Sequence, residues 1–150
     1  MQRRLVPHIV DGTRPLTTVT PNTPVDEVAR RLRADHVAAA LVMAGERLIG
    51  IVTERDITYR VVADNRDPRQ VQAKDIMTPD PVTGRPEMTA REALELMRQG
   101  HFRHLPVLRD GVPFAVVSIR NLYEAVRASL EEDLQQAEHF IHGESYGASV

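Results

Sequence analysis

The sequence predicts an α+β fold: two copies of one β-α-β-β-α unit forming a pseudo-twofold pair, followed by a long C-terminal helix. Three observations carry this prediction. Residues recur at a constant offset of 65, pairing His36 with His101, Val42 with Val107, Val52 with Val117, Thr53 with Ser118 and Asp56 with Asn121. Each copy holds two apolar runs of strand length joined by a short turn containing Gly45 or Gly111. Each second run stops at a hydroxyl residue and passes into a helix start. Duplication of this kind marks units that bury their apolar faces against one another.

The elements follow in order. Residues 1–15 form an N-terminal arm with little periodicity, punctuated by Pro7 and Asp11-Gly12; it either packs on the body or is a flexible start. The first repeat occupies residues 16–64. Residues 16–20 are expected to form a short strand, and Thr23 to cap a helix with Pro24 at its first position. Val25, Val28, Ala29 and Leu32 fall on one face of that helix, with Arg30, Arg31 and Arg33 on its solvated side. Residues 37–43 form a strand, and Leu48-Ile49-Gly50-Ile51-Val52 returns to Thr53, which caps a helix continuing to residue 63.

Residues 65–74 are a polar linker containing Asp67-Pro68, and the second repeat covers residues 75–128. It opens with a helical turn at Lys74-Asp75-Ile76-Met77-Thr78, and Pro81-Val82-Thr83 is expected to form its first strand. Matching Val82 to Val19 makes the next loop two residues longer than in the first copy, an offset of 63. Thr89 and Glu92 form a capping box, Ala93, Leu94 and Met97 a buried stripe, and Gly100 the expected helix end. Residues 105–108 and 114–117 form a hairpin through Asp110-Gly111. The last helix, from near Ile119, carries a stripe of Leu122, Val126, Leu130, Leu134, Ala137 and Ile141 into a C-terminal extension at residues 129–150. Gly143 is expected to stop it and residues 144–150 to fray. So long a stripe needs a cover: a second protomer, another protein, or its own body.

Composition narrows the function classes. Hydrophobic residues at 42% and charged residues at 27% are those of a soluble globular chain, and no apolar run reaches the ~18 residues of a membrane span. A net charge of −2, 4% aromatics and no Trp argue against a nucleic-acid partner. The chain has no Cys, which excludes disulfides, thiolate metal sites and a Cys nucleophile. No apolar stretch follows Arg3 and Arg4 as in a secretory signal, so a cytoplasmic location is expected. His101 with His104, and His139 with His142, stand three apart without a convincing metal-ligand set, and no metal is expected. There is no G-x-S-x-G, Walker loop or H-E-x-x-H, and no catalytic residue is expected.

Gly50-Ile51-Val52-Thr53-Glu54-Arg55-Asp56-Ile57, Asp75-Ile76-Met77-Thr78 and Arg103-His104-Leu105-Pro106-Val107, in this order, resemble the cystathionine β-synthase (CBS) domain pair, or Bateman module. The resemblance covers residues 16–128. It implies two repeats packed through their sheets, a homodimer of such pairs, and a non-catalytic regulatory module. Family members that bind ligands hold AMP, ADP, ATP or another adenosyl compound between the repeats, as a regulatory ligand rather than a required cofactor. No fused partner domain is visible, so a stand-alone module acting on an unidentified target protein is expected.

The ligand-binding candidates that follow are Thr53, Arg55, Asp56, His101, Arg103, His104, Ser118 and Asn121. A carboxylate at Asp56 can accept hydrogen bonds from two vicinal ribose hydroxyls, and Thr53 with the helix N–H groups suits a phosphate. Thr53 and Asp56 could equally be a cap and a first-turn acid. In the second copy Ser118 keeps the hydroxyl, but Asn121 has one acceptor oxygen in place of a charged pair. One competent cleft is therefore expected, lined by Thr53, Asp56, Arg103 and His104. A bound phosphate would raise the histidine pKa values there. His101, Arg103 and His104 could instead be surface or interface residues. The competing functions are an adenosine-nucleotide sensor and a constitutive protein-interaction scaffold that binds no nucleotide.

Overall fold

The computed structural model describes residues 3–148, with side chains described through residue 141. In the first repeat, β1 (Thr18–Val19) leads to α1 (Val25–Asp35), and the hairpin of β2 (Ala39–Ala44) and β3 (Arg47–Thr53) leads to α2 (Glu54–Ile57). A π-helical turn at Thr58–Val62 prolongs α2. A short α3 (Ala73–Ile76) and β4 (Thr78–Pro79) follow. The second repeat adds α4 (Ala90–Gly100), β5 (His104–Arg109), β6 (Val112–Ser118) and the long α5 (Ile119–Ala148). One sheet has the order β1-β2-β3-β4, with β1 and β2 parallel, and the other is the β5-β6 hairpin. The bulges fall at equivalent places, Val42/Met43 and Val107/Leu108. The mixed α+β architecture with tandem repeats is as the pattern predicts.

Three apolar clusters hold the pair together. One lies under α1 and includes Val25, Val28, Leu32, Val42 and Val52. Its twin lies under α4 and includes Ala93, Met97, Leu105, Val107, Val117 and Leu122. The third joins the repeats through their sheets, with Ala39, Leu41 and Ile51 against Val116.

Each repeat's core is completed by the segment that precedes the other. The arm packs on the body, and Leu5 is fully buried in the α4 cluster, while Val71, Ala73 and Ile76 are buried in the α1 cluster. The backbone repeats this exchange bond for bond. Leu5 N–H donates to Met88 C=O at 2.8 Å as Ala73 N–H does to Thr23 C=O at 2.9 Å. Ala90 N–H donates to Arg3 C=O at 2.8 Å as Val25 N–H does to Val71 C=O at 2.9 Å. The last two bonds satisfy N–H groups at the starts of α4 and α1 that have no intrahelical acceptor.

Three local expectations are corrected. Pro81-Val82-Thr83 is not a strand; the residue paired with β5 is Gly84, bridged in parallel to Val107 as Val19 is to Val42. The offset therefore stays at 65, and no two-residue insertion exists. A Cβ on Gly84 would lie 2.9 Å from Leu105 Cδ2, so close packing selects a residue without the side chain that would mark a strand. Thr23 does not cap α1: its buried hydroxyl accepts from Thr20 N–H at 3.0 Å, and the extended cap residue is Pro24. α4 ends at Gly100 as expected, where a Cβ would collide with the Phe102 ring, and the left-handed cap just beyond it is His101 at φ 55°. Gly143 does not end α5, whose backbone runs on to Ala148. Of the fraying expected at residues 144–150, residues 144–148 are helical in backbone and residues 149–150 lie outside the described residues.

Candidate functional site

The strand-to-helix junctions of both repeats are built alike. Thr53 N–H and Oγ1 donate to Asp56 Oδ2 at 2.8 and 3.1 Å, and Asp56 N–H donates back to Thr53 Oγ1 at 3.3 Å. Ser118 N–H and Oγ donate to Asn121 Oδ1 at 3.0 and 2.8 Å, and Asn121 N–H returns a bond to Ser118 Oγ at 3.1 Å. Each box needs one side-chain oxygen at the fourth position, and acid and amide both supply it. What remains differs. Asp56 keeps a second carboxylate oxygen, 3.8 Å from Arg60 Nε, whereas Asn121 keeps an amide N–H donor group.

A cleft of about 1050 Å³ opens between the repeats. The second repeat lines it with Arg103, His104, Ser118, Ile119, Arg120, Asn121 and Glu124. From the first repeat come Thr17, His36, Val37, Ala38, Ala39 and Glu54, and from the arm His8, Asp11 and Arg14. Ala38 and Ala39 are the counterparts of Arg103 and His104 at offset 65, so the small pair of one copy faces the same space as the basic pair of the other. Thr53, Arg55, Asp56 and His101 do not line this cleft. Arg55 lies 5.0 Å from the centre of the Tyr59 ring, and His101 is an exposed cap. The structure thus gathers Arg103 and His104 with Ser118 and Asn121.

The charges in the cleft are unequally committed. Arg14 donates to the carbonyls of Asp35 and His36, both at 3.3 Å, and so serves the C-terminus of α1. Arg120 pairs with Glu124 at 3.3 Å. The Thr13 hydroxyl and N–H donate to Asp11 at 2.6 and 2.9 Å and hold its carboxyl below the usual range. Among the described residues, Arg103 makes no side-chain hydrogen bond or ion pair. Burial lowers the His104 pKa; the Glu54 carboxylate opposes that shift and Arg103 adds to it. Among the described residues there is no group of three or more His, Asp or Glu side chains able to hold a metal ion, and no helix long and apolar enough to cross a membrane.

Sequence reasoning passed over His8, Asp11, Arg14, Glu54, Arg120 and Glu124 as lining residues. Glu54 and Arg120 each follow a flagged hydroxyl residue, and that adjacency was a usable signal. Nothing comparable marks the arm, whose place depends on packing against the other repeat.

Two repeats of this architecture with a cleft between them define a CBS pair, a regulatory module. The chain belongs to the CBS domain family, whose model matches residues 8–63 and 73–128. It is 33% identical to the CBS domain-containing protein CBSCBSPB3 of Arabidopsis thaliana, over 82% of this chain and 22% of the relative. The chain thus spans less than a quarter of that curated relative's length. Among solved structures, a CBS-domain protein from Burkholderia ambifaria superposes with a TM-score of 0.79 at 31% identity, covering 84% of this chain and 95% of that one. A CBS domain protein from Pyrobaculum aerophilum, solved in complex with AMP, superposes with a TM-score of 0.67 at 30% identity, covering 73% and 84%.

Proposed function

We propose that the chain is a non-catalytic sensor that binds an adenosine-type nucleotide, of the AMP, ADP or ATP class, in the cleft between its repeats. The observation that carries this reading is Arg103: a guanidinium without a protein partner among the described residues, on a cleft of about 1050 Å³ bounded by both repeats. An unpaired guanidinium offers a phosphate two parallel charge-assisted hydrogen bonds. The volume lies just above the ~300–1,000 Å³ usual for small-molecule sites. Apolar walls at Val37, Ala38 and Val116 suit a base, and Ser118 with the amide of Asn121 suits a sugar. The AMP complex of the Pyrobaculum relative supports the same ligand class.

Because the cleft is walled by both repeats, a ligand that fits one relative packing better than another shifts the balance between them by its difference in affinity. A target protein or a second copy then reads that shift. Tyr59, Val62 and Tyr123, all more than half exposed, lie on the π-helical turn after α2 and on α5 and suit a homodimer contact.

A thermal-shift panel of AMP, ADP, ATP, NAD and S-adenosylmethionine tests the ligand class. A ligand at 100 times its Kd stabilises the fold by about 2.7 kcal/mol, which a melt resolves. No shift with any of them at millimolar concentration would overturn the sensor reading and leave a constitutive scaffold.

A further inference from the structure

The structure assigns the free part of α5 to a second protein: its apolar stripe is a docking face for a basic amphipathic helix. Leu122 is buried on the body, but every residue from 130 to 141 is exposed. Leu130, Leu134 and Ile141 are 63%, 60% and 60% exposed, and with Ala137 they recur at spacings of 4, 3 and 4. That spacing is the seam of a two-heptad coiled coil. Most helical stability in proteins comes from packing an apolar face, and this part of α5 leaves its apolar side in water.

Charge decides what covers it. Glu131 and Glu138 border one side of the seam and Asp133 the other, and no Lys or Arg follows Arg127 in the sequence. Glu131 is paired with Arg127 at 3.1 Å, whereas Asp133 and Glu138 have no ion-pair partner among the described residues. A second copy of α5 would bring acid to acid across the seam in either orientation, which the border positions of coiled coils select against. An anionic membrane is disfavoured for the same reason. A partner helix with apolar seam positions and Lys or Arg at its borders meets every charge with its opposite. The seam is also accessible. Among the described residues, the ion pair between the arm and this segment, Arg3 to Glu132 at 2.6 Å, lies on the opposite side of the helix, about 100° per residue being the turn.

The test uses the full chain and two synthetic helical peptides with the same Leu and Ile seam, one bordered by Lys and one by Glu. Fluorescence anisotropy should show the Lys-bordered peptide binding at least tenfold tighter, with its affinity falling as salt rises. Leu134→Glu should abolish binding without moving the melting temperature. Asp133→Lys with Glu138→Lys should reverse the preference between peptides. Equal affinity for both peptides, or a preference that survives the charge reversal, would overturn the assignment. So would a solution mass that halves on Leu134→Glu, which would show that a second copy covers the seam.

Discussion

At the scale of single residues, Arg103 and His104 separate the roles of charge in the cleft. Removing a charged hydrogen-bond partner of a bound phosphate costs about 1.5–3 kcal/mol, and each ~1.4 kcal/mol is tenfold in affinity. Arg103→Ala is therefore expected to weaken AMP binding by about ten- to a hundredfold in a calorimetric titration, with little change in the melting temperature of the free protein. Asp56→Ala, outside the lining of this cleft, is expected to leave affinity within about threefold. Loss of binding on Asp56→Ala alone would move the site to the other strand-to-helix junction. His104 has a testable sign. Burial places its folded pKa below the unfolded value of about 6.5, so the fold favours the neutral ring. The linked stability is complete above about pH 6.5 and is lost as pH falls through the lower folded value. Urea unfolding at pH 7.5 and 5.5 should show that loss, and His104→Gln should reduce it; an undiminished loss would place its origin elsewhere. The basic pair itself was legible, because Arg103-His104 precedes an apolar strand and has no basic counterpart in the first copy. Its neighbours were not. Which hydroxyl and which amide share its space depends on how two sheets pack, and that contact rests on scattered residues such as Leu41, Ile51 and Val116.

At the scale of elements, the two capping boxes form a built-in comparison. Asn121 does in the second copy what Asp56 does in the first, so Asp56→Asn should cost only a few tenths of a kcal/mol, mainly through the lost charge at the helix N-terminus. Asp56→Ala leaves Thr53 N–H without its acceptor and should cost about 1 kcal/mol. Chemical denaturation of the two variants checks this, and equal losses would show that the charge rather than the box matters. The boxes at Thr53 and Thr89 could be read directly, because a hydroxyl followed three residues later by an acid is a local signal. Thr23 carries a similar signal and misleads. The start of α1 is satisfied instead by Val71 and Pro68 carbonyls, which lie far away in sequence. The same holds for Gly84. Its strand role comes from Pro106 and Leu108 across the ladder, to which it gives and from which it takes a bond at 2.8 and 3.0 Å, and a bare glycine announces none of this. Local chemistry was visible and borrowed chemistry was not.

At the scale of the whole molecule, the exchanged segments decide how the chain unfolds. The two cores hang on different residues, yet each is closed by the stretch that leads into the other repeat: Leu5 completes the core under α4, and Ile76 the core under α1. The third cluster then joins the sheets directly. Neither repeat can lose its core while the other keeps its own intact, because unfolding one frees the segment that seals its neighbour. The pair should therefore unfold as one unit although it reads as a tandem duplication. Leu5→Ala and Ile76→Ala, both at fully buried positions, should each cost about 2–5 kcal/mol and lower one shared transition. Far-ultraviolet dichroism reports helices of both repeats, while variants that keep Tyr59 or Tyr123 as their single tyrosine report them separately. With either alanine substitution the three signals should move together, as coincident transitions require. A Leu5→Ala variant in which Tyr123 reports unfolding while Tyr59 still reports native structure would show that the repeats melt separately and that the exchanged arms are ornament rather than closure.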